Sequence, residues 1–464
     1  MRTLFSLLIY VLSVSALSPA TVDLVKARLK DAAQKSWEIG TRAQALLELE
    51  SPSVSVFTAS SIPGSPASQY PTLQLSNVVK SAYTSGQLSD VIGISHEMLA
   101  NKEPGTLPLM RDGSSADPAS NGVAMIVANW TEAQGSDFAA AAGDQLTWLL
   151  LRVPRSSEGA ISHRNNEVQL WSDYIYMVPP FFAYYGASTS NRTLVAEAYN
   201  QLRLYRDVLL DKPTGLWQHI RQGSFEDLGF WSTGNGWAAM GIMRVAATIR
   251  AAGYANEFTS ELKDFGKWTG EILDGMWPLL TEEGLFYNYV DNSKTFLDGA
   301  STALMAACTY RAAIMFNNTK YIEQAEKVYG IIGGTDDNST TSSSTPGPAR
   351  KYRAVPQGQH SAEGQAFVLM MYTARNDYLA AQKLKVGGGA ANVVGYTGSN
   401  GTTGGGLNGV GNVGAGLNSG SSDSNSGGSS SNNGTLERKN ADYKATFEVG
   451  TIIGAVGVVI AWVV

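Results

Sequence analysis

The chain has 464 residues, a formal net charge of −6 and a 44% hydrophobic content. This acidic balance gives no electrostatic case for binding nucleic acid, whose phosphates attract basic surfaces. The only cysteine, Cys308, excludes an intrachain disulfide, and its apolar helical surroundings predict a buried, inert thiol. Because no Cys/His ligand spacing, phosphate-binding loop or serine-nucleophile motif is present, carboxylate chemistry is the remaining catalytic option.

Residues 1–16 predict a secretory signal peptide. Arg2 supplies the positive charge, residues 4–14 form the apolar stretch, and the small side chains at residues 14–16 fit a cleavage site. The apolar run is too short to span a bilayer. The mature chain is therefore expected to begin near Leu17.

Residues 17–385 predict one all-α domain. Apolar residues recur at three- and four-residue steps, while sustained strand-like alternation is scarcely visible. A chain of helical hairpins this long can close into an (α/α)6 barrel, and an open superhelical array is the alternative, although no fixed-period repeat is visible. About eleven helices are predicted, at residues 22–49, 85–100, 120–131, 136–152, 171–186, 193–210, 235–252, 257–279, 298–316, 319–331 and 361–381.

The C-terminal part changes character. Residues 386–434 are dominated by Gly, Ser and Asn, which predicts a disordered stalk because so little apolar surface can be buried. Residues 435–464 combine a polar spacer with a terminal apolar run, a pattern typical of a GPI-attachment signal, with Asn433 and Asn440 as candidate attachment positions. An ordinary tail-anchored helix is the alternative. Either interpretation predicts a membrane tether at the C-terminus.

The N-glycosylation sequons also favour a secreted chain. If they are occupied, these asparagines must lie on the surface. Six are present, at Asn129, Asn191, Asn317, Asn338, Asn400 and Asn433.

Asp173 is the leading catalytic candidate. It stands between Trp171 and a run of aromatic and apolar residues that ends in Pro-Pro. An apolar environment disfavours the ionised form of a carboxyl group, so these neighbours predict a raised pKa and a proton donor. The alternative is that Asp173 caps the helix starting near Tyr174. Asp117 is the second candidate, and its alternative is a turn or cap residue.

Polar and aromatic side chains near these aspartates predict a carbohydrate site. Sugars present apolar faces that pack on aromatic rings and hydroxyl groups that need polar partners. The alternative is that the histidines are structural and that the tryptophans belong to the core. The candidate substrate-binding residues are His163, Trp171, His219, Trp231, Asn235 and Trp237.

Several short motifs then follow one another in a fixed order. Residues 85–381 resemble the unsaturated-uronyl hydrolases of glycoside hydrolase family 105, which is related to family 88 and has the six-hairpin (α/α)6 fold. The order and approximate spacing of the motifs are more specific than any single match. The matching stretches are Pro154-Arg155, Glu158-Gly159 with His163, Trp171-Ser172-Asp173 with Tyr176-Met177 and Pro180-Phe181, Gly215-Leu216-Trp217 with His219, and Trp231 through Trp237.

The resemblance implies that Asp173 is the general acid/base and that an upstream aspartate, here Asp117, assists it. It further implies protonation of the C4=C5 double bond of a 4,5-unsaturated uronic acid and addition of water at C5. The implied substrates are unsaturated oligosaccharides derived from pectin, rhamnogalacturonan or glycosaminoglycan, with no metal or organic cofactor. Together with the signal-peptide and GPI-attachment patterns at the two ends of the chain, the resemblance predicts a glycoprotein of the fungal cell surface. This protein would be anchored by GPI to the plasma membrane or wall.

Thr233 departs from the family pattern, because the resembling proteins commonly have an arginine there. An arginine can bind a sugar carboxylate through two hydrogen bonds, which threonine cannot do. Two other functions stay open: a family-76-like α-1,6-mannanase or transglycosidase, and an inactive carbohydrate-binding protein of the wall. The mannanase interpretation needs adjacent aspartates, and Asp336-Asp337 stands in a low-complexity insertion.

Overall fold

A computed structural model describes residues 17–59, 62, 77–131, 137–333 and 361–386. The predicted signal peptide, residues 387–434 of the stalk, the GPI-attachment signal and the sequons at Asn338, Asn400 and Asn433 lie outside these residues, as does Asp336-Asp337. None of the helices in the described ranges has the length and hydropathy needed to cross a membrane.

The described residues form fourteen α-helices, joined by two 3-10 turns and four very short strands. The helices are α1 (Pro19–Ala32), α2 (Ser36–Glu50), α3 (Asn77–Thr84), α4 (Ser89–Asn101), α5 (Gly122–Asn129), α6 (Asp137–Leu151), α7 (Tyr174–Met177), α8 (Pro179–Ser188), α9 (Arg192–Leu209), α10 (Ser232–Ala251), α11 (Thr259–Met276), α12 (Gly299–Phe316), α13 (Ile322–Gly333) and α14 (Ala362–Val386). The 3-10 turns are η1 (Asp117–Asn121) and η2 (Trp277–Leu279), and the strands are β1 (Leu170–Trp171), β2 (Ile220–Arg221), β3 (Phe286–Tyr287) and β4 (Leu297–Asp298).

Six of these helices form an inner ring. Helices α2, α5, α8, α10, α12 and α14 each contact the next, and α14 returns to contact α2. Helices α10 and α12 are buried around almost their whole circumference, because neighbours cover them on every side. The ring is therefore closed, which rules out the open superhelical array.

Six outer helices cover the ring. Helix α1 packs on α14, α4 and α6 on α5, α9 on α8, α11 on α10, and α13 on α12. Outer helices bury one face and leave the other in solvent, as shown by the alternating burial along α9 and α11. This arrangement confirms the predicted (α/α)6 barrel.

The boundaries differ from the prediction at two places. The stripe over residues 22–49 is two helices, because the Glu38 carboxylate accepts the backbone N–H groups of Gln34 and Lys35 at 2.8 Å and caps a new helix. The segment 171–186 begins as strand β1 and then forms two helices. Pro179 occupies the first position of α8, where a missing N–H group costs nothing.

A close approach of two backbones holds the Asp173 segment in place. A Cβ atom at Gly241 of α10 would lie 2.1 Å from the Ile175 carbonyl oxygen in α7. Only glycine allows this approach. The short helix after Asp173 is therefore fixed directly against the inner ring.

Candidate active site

The candidate residues gather at one end of the barrel, where inner helices begin. Asp117 is in η1 just before α5, Asp173 precedes α7 and α8, and Trp231 precedes α10. The aspartates are close enough for the charge of Asp173 to affect the ionisation of Asp117. The structure thus brings the two carboxylates predicted from sequence into one site.

A small antiparallel pair positions the second half of the site. Strand β1 pairs with β2, with Trp171 opposite Ile220. The Ser172 N–H donates to the His219 carbonyl at 2.9 Å, and the His219 N–H donates to the Gly229 carbonyl at 3.0 Å. These bonds hold His219 beside Asp173 from a distant part of the chain.

Asp173 is paired with a histidine and does not cap a helix. Its Oδ2 atom lies 3.5 Å from His219 Nε2, and its side chain makes no capping hydrogen bond to α7. Burial opposes its ionisation, but the hydrogen bond and positive charge of His219 outweigh burial and lower its pKa. The helix-cap alternative and the predicted raised pKa are both wrong for Asp173.

Asp117 has the opposite electrostatic environment. Burial raises its pKa well above the usual range, and the negative charges of Asp173 and Asp112 raise it further. Its Oδ1 atom lies 3.7 Å from Nε2 of His163, and Ser114 Oγ lies 3.2 Å from the same nitrogen. Of the two carboxyl groups, Asp117 therefore keeps its proton to higher pH than Asp173 does.

The two histidines differ in charge as well. Burial lowers the pKa of His163 to about 4, so its ring is neutral at neutral pH. Burial also opposes the charge of His219, but the carboxylates of Asp173 and Asp227 outweigh burial and raise its pKa. Nδ1 of His163 is buried without a hydrogen-bond partner among the described residues, and Nε2 of His219 has only the long contact with Asp173.

Asp227 and Tyr289 are site residues that the sequence reasoning missed. Asp227 Oδ2 lies 2.9 Å from His219 Nδ1 and accepts the Tyr289 hydroxyl hydrogen, while its Oδ1 accepts the Gly229 N–H at 3.0 Å. Tyr289 is brought there by a backbone bridge to Trp231. Because these partners come from three chain segments, local sequence gave no signal for them.

Aromatic rings form the walls of the site. Trp171 stacks on His163 at a centroid distance of 4.7 Å and meets His219 edge-on at 5.5 Å. Trp231 packs on His219 at 4.6 Å, and Phe225, which is 51% exposed, meets Trp171 edge-on. Such rings provide apolar faces on which a sugar ring can lie.

Arg164 is a second residue that the sequence reasoning missed. Its guanidinium lies 6.0 Å from the centre of the Trp171 ring, and within the described residues it has no hydrogen-bond acceptor or ion-pair partner. Its position directly after His163 was a signal visible in the sequence. Its positive charge acts on the Asp117 carboxyl group, and a guanidinium without a hydrogen-bonded protein acceptor can bind an anionic group on a substrate.

Asn235 and Trp237 do not line the site. Asn235 is fully buried, and its amide joins the backbone of Trp217 and Trp231, with its oxygen accepting one N–H and its nitrogen donating to two carbonyls. Trp237 is 1% exposed and packs between Tyr176 and Phe367. Their predicted role in substrate binding is wrong, because tertiary packing uses these groups inside the barrel.

Thr233 lies at the edge of the site in a buried position. Its hydroxyl donates to Asp298 Oδ2 at 3.4 Å, and Asp298 caps α12 by accepting the N–H groups of Ala300 and Ser301. Burial raises the pKa of Asp298. Position 233 therefore faces the Asp298 carboxyl group, and threonine makes a single hydrogen bond to it.

The described sequons lie away from the site residues. Asn129 and Asn317 are exposed at the C-terminal ends of α5 and α12, and Asn191 is partly exposed as the cap of α9. Cys308 is buried and donates its thiol hydrogen to the Gly236 carbonyl, and burial raises its pKa. Among the described residues, no group of three or more His, Cys, Asp or Glu side chains is placed to hold a metal ion.

A closed (α/α)6 barrel with two buried carboxyl groups at one end has the groups that a glycoside hydrolase uses. The sequence profile of Glycosyl Hydrolase Family 88 matches residues 88–379. The match covers more than half of the chain, so this protein belongs to Glycosyl Hydrolase Family 88. This result confirms the resemblance predicted from the order of the motifs. No curated protein matches the chain.

Solved structures show the same fold at low sequence identity. A possible family-105 member from Salmonella enterica serovar Paratyphi A is 16% identical, with a TM-score of 0.57 over 77% of this chain and 93% of its own. A family-105 glycoside hydrolase from C. acetobutylicum is 12% identical, with a TM-score of 0.55 over 77% and 99%. A family-88 hydrolase from Bacteroides vulgatus is 13% identical, with a TM-score of 0.51 over 77% and 99%.

Proposed function

We propose that this protein hydrolyses oligosaccharides that carry a 4,5-unsaturated uronic acid at one end. The single observation that carries the proposal is the pair of buried carboxylates, Asp117 and Asp173, whose pKa values are shifted in opposite directions. Groups whose environments separate their pKa values can serve as acid and base at one pH. Membership of Glycosyl Hydrolase Family 88 supports the same substrate class.

The proposed reaction is a hydration. A proton is delivered to C4 of the C4=C5 double bond, and positive charge develops at C5 and the ring oxygen. A water molecule adds to C5 as a carboxylate takes one of its protons. The resulting hemiketal opens to a C5 ketone, and the C1 centre then releases the remaining sugar as an alcohol. Protons balance, because one carboxyl group gives a proton and one carboxylate accepts one.

The pKa of Asp117 is raised and that of Asp173, beside His219, is lowered, so a proton shared by the pair favours Asp117. These states favour Asp117 as the acid and Asp173 as the base that activates water, the reverse of the allocation that the resemblance implies. The pH dependence of kcat/KM in the Asp117→Asn and Asp173→Asn variants distinguishes these two allocations of acid and base. Loss of the alkaline limb of kcat/KM in Asp117→Asn supports Asp117 as the donor, whereas its loss in Asp173→Asn supports the family allocation.

Charge at the site suits an acidic sugar. Arg164 presents a guanidinium without a protein acceptor above Trp171, and His219 adds a second positive charge. Arginine binds carboxylates through two parallel hydrogen bonds. The N-terminal ends of α5, α8 and α10 lie at the same end of the barrel and favour negative charge. In this proposal Arg164 binds the sugar carboxylate, the role that the resemblance gives to an arginine at position 233.

An assay on unsaturated digalacturonate tests the proposal directly. Hydration removes the conjugated double bond, so absorbance in the unsaturated-uronide band should fall with time. Mannan oligosaccharides serve as the competing substrate, and release of mannose without loss of that absorbance would establish the mannanase alternative. Binding of either sugar without turnover would establish an inactive binding protein.

We further propose that the enzyme acts at the cell surface on a lipid tether. The support is compositional: the apolar N-terminal segment, the Gly/Ser/Asn-rich stretch and the terminal apolar run. Phosphatidylinositol-specific phospholipase should release the full-length protein, and a stop codon after Tyr396 should yield secreted, active enzyme. Retention of the truncated protein on membranes, or resistance to the phospholipase, would contradict the GPI anchor.

A further inference from the structure

A second pocket opens at the outer rim of the barrel, between the ends of α4 and α6. It is lined by Glu103, Leu107, Pro108, Arg111, Trp148 and Arg152. The volume of the pocket is about 330 Å³. Pockets of about 300–1,000 Å³ are typical of small-molecule sites. The volume is therefore sufficient for a sugar unit.

The charged groups of this pocket favour an anion. Neither Arg111 nor Arg152 has a side-chain hydrogen bond or ion pair among the described residues, whereas the nearby carboxylate of Asp144 is paired with Lys102 at 3.0 Å. Glu103 contributes one negative charge against the two arginines. Trp148 is half-buried and also lines the pocket. Free guanidinium groups beside an indole ring suit a carboxylated sugar, which has a charged group and an apolar face.

The pocket lies at the same end of the barrel as the carboxylate pair. Arg111 is three positions before Ser114, whose hydroxyl lies 3.2 Å from His163, so the Cα atoms of Arg111 and Ser114 are at most about 11 Å apart. The connecting segment is fixed, because the Leu109 N–H donates to Gln145 Oε1 at 2.8 Å. Beyond it, the Arg164 guanidinium lies beside Gly113.

We propose that this pocket is a distal subsite that binds the carboxylate of a later acidic unit in the oligosaccharide whose unsaturated end lies at Asp173. The inference rests on the proposed function, because it takes the substrate to be a chain of uronic acids. Arg164, Arg111 and Arg152 then form a series of positive charges leading from the reacting unit to the rim. The subsite contributes affinity for longer acidic chains and leaves the chemical step unchanged.

The test compares chain lengths in the Arg111→Ala/Arg152→Ala double variant. We expect its KM for unsaturated tetragalacturonate to rise roughly 3- to 10-fold, the range for losing partly exposed charged contacts. The KM for unsaturated digalacturonate should stay within about twofold, because a disaccharide lacks the later units that the proposed subsite would bind. Arg203→Ala, a surface change on α9, is the matched control and should alter neither value.

The outcomes separate failure of the subsite hypothesis from failure of the proposed function. Equal changes for both substrates, or no change for either, would overturn the subsite while leaving hydration of unsaturated uronides intact. If wild-type protein turns over neither substrate, the proposed function fails instead. Calorimetry with saturated tetragalacturonate then tests the pocket alone: binding that is lost in the double variant supports it, and absent or unaltered binding overturns it.

Discussion

Two clusters of buried charged and polar side chains in this barrel differ in how their members contact one another. The barrel cluster, inside the inner ring, consists of Gln44, Glu48, Arg244 and Arg311. Glu48 Oε2 accepts from Arg311 at 2.9 Å, and its Oε1 accepts from Gln44 at the same distance. Arg244 donates to Gln44 and to the Tyr176 carbonyl. These groups join α2, α10 and α12.

The site cluster, consisting of Asp117, His163, Asp173, His219 and Asp227, lies at the mouth of the same ring. The contacts of its two central aspartates are longer, with 3.7 Å between His163 and Asp117 and 3.5 Å between His219 and Asp173, although Asp227 lies 2.9 Å from His219. Nδ1 of His163 is buried without a hydrogen-bond partner among the described residues, and Nε2 of His219 makes only the long contact with Asp173. The site therefore has hydrogen-bonding capacity left for a substrate.

The difference distinguishes structural charge from functional charge. In the barrel cluster the carboxylate and guanidinium groups face each other directly, so removing one leaves the other buried and uncompensated. In the site cluster, burial and like charges shift pKa values, and such shifts are typical of catalytic groups. Substitutions in the first cluster should alter stability, and those in the second should alter rate.

Asp173→Asn is expected to have the largest effect on rate. Loss of a positioned acid or base should lower kcat about 10²–10⁴-fold, because the amide can neither give nor take the proton. Thermal unfolding should change little, since Asp173 caps no helix. Asp291→Asn, at an exposed position, is the matched control. Near wild-type turnover in Asp173→Asn would contradict the catalytic assignment.

Glu48→Gln should show the reverse behaviour. It leaves Arg311 buried with only Asp377 as a charged partner, so the free energy of unfolding should fall by about 3 kcal/mol. The kcat of the folded fraction should stay unchanged. Asp274→Asn, which breaks the exposed pair with Lys320, should cost less than about 1 kcal/mol in the same denaturation experiment. Equal losses of unfolding free energy in Glu48→Gln and Asp274→Asn would show that the buried cluster is no more important for stability than an exposed ion pair.

Arg164→Ala should raise the KM for unsaturated digalacturonate about 10- to 100-fold, the equivalent of one charge-assisted hydrogen-bonded pair. The kcat should change less, because Arg164 holds the substrate and no step of the reaction assigns it a proton. Arg164→Lys keeps the charge without the planar fork and should give an intermediate KM. A KM unaffected by either change would show that Arg164 does not bind the uronate.

Asp227→Asn should produce the smallest change, seen as a shift of His219 titration in NMR. The pKa of His219 is raised in the folded protein, so its ion pairs stabilise the fold below the unfolded pKa and are lost as pH rises through the folded pKa. Without the Asp227 carboxylate, this titration should move to lower pH. Tyr289→Phe removes a hydrogen bond to Asp227 and should move it upward. Shifts of the same sign would contradict the Asp227–His219 pairing.

The amino-acid sequence by itself determined the class of fold and the central site residues. Helical periodicity without strand alternation predicts an all-α chain, and its length suits a closed double ring. The aromatic neighbours of Asp173 and the order of the motifs were visible in linear sequence. Helix ends were less predictable, as at residues 33–35, where the Glu38 side chain caps a new helix within an unbroken apolar stripe.

Only the tertiary structure decided the charges of the site. The apolar neighbours of Asp173 suggested a raised pKa, yet His219, brought over by the β1–β2 pair, lowers it. Asn235 and Trp237 share a motif with Trp231 but face the core, because α10 turns them away from the site. A pKa depends on partners that are distant in the chain, and linear sequence does not contain their positions.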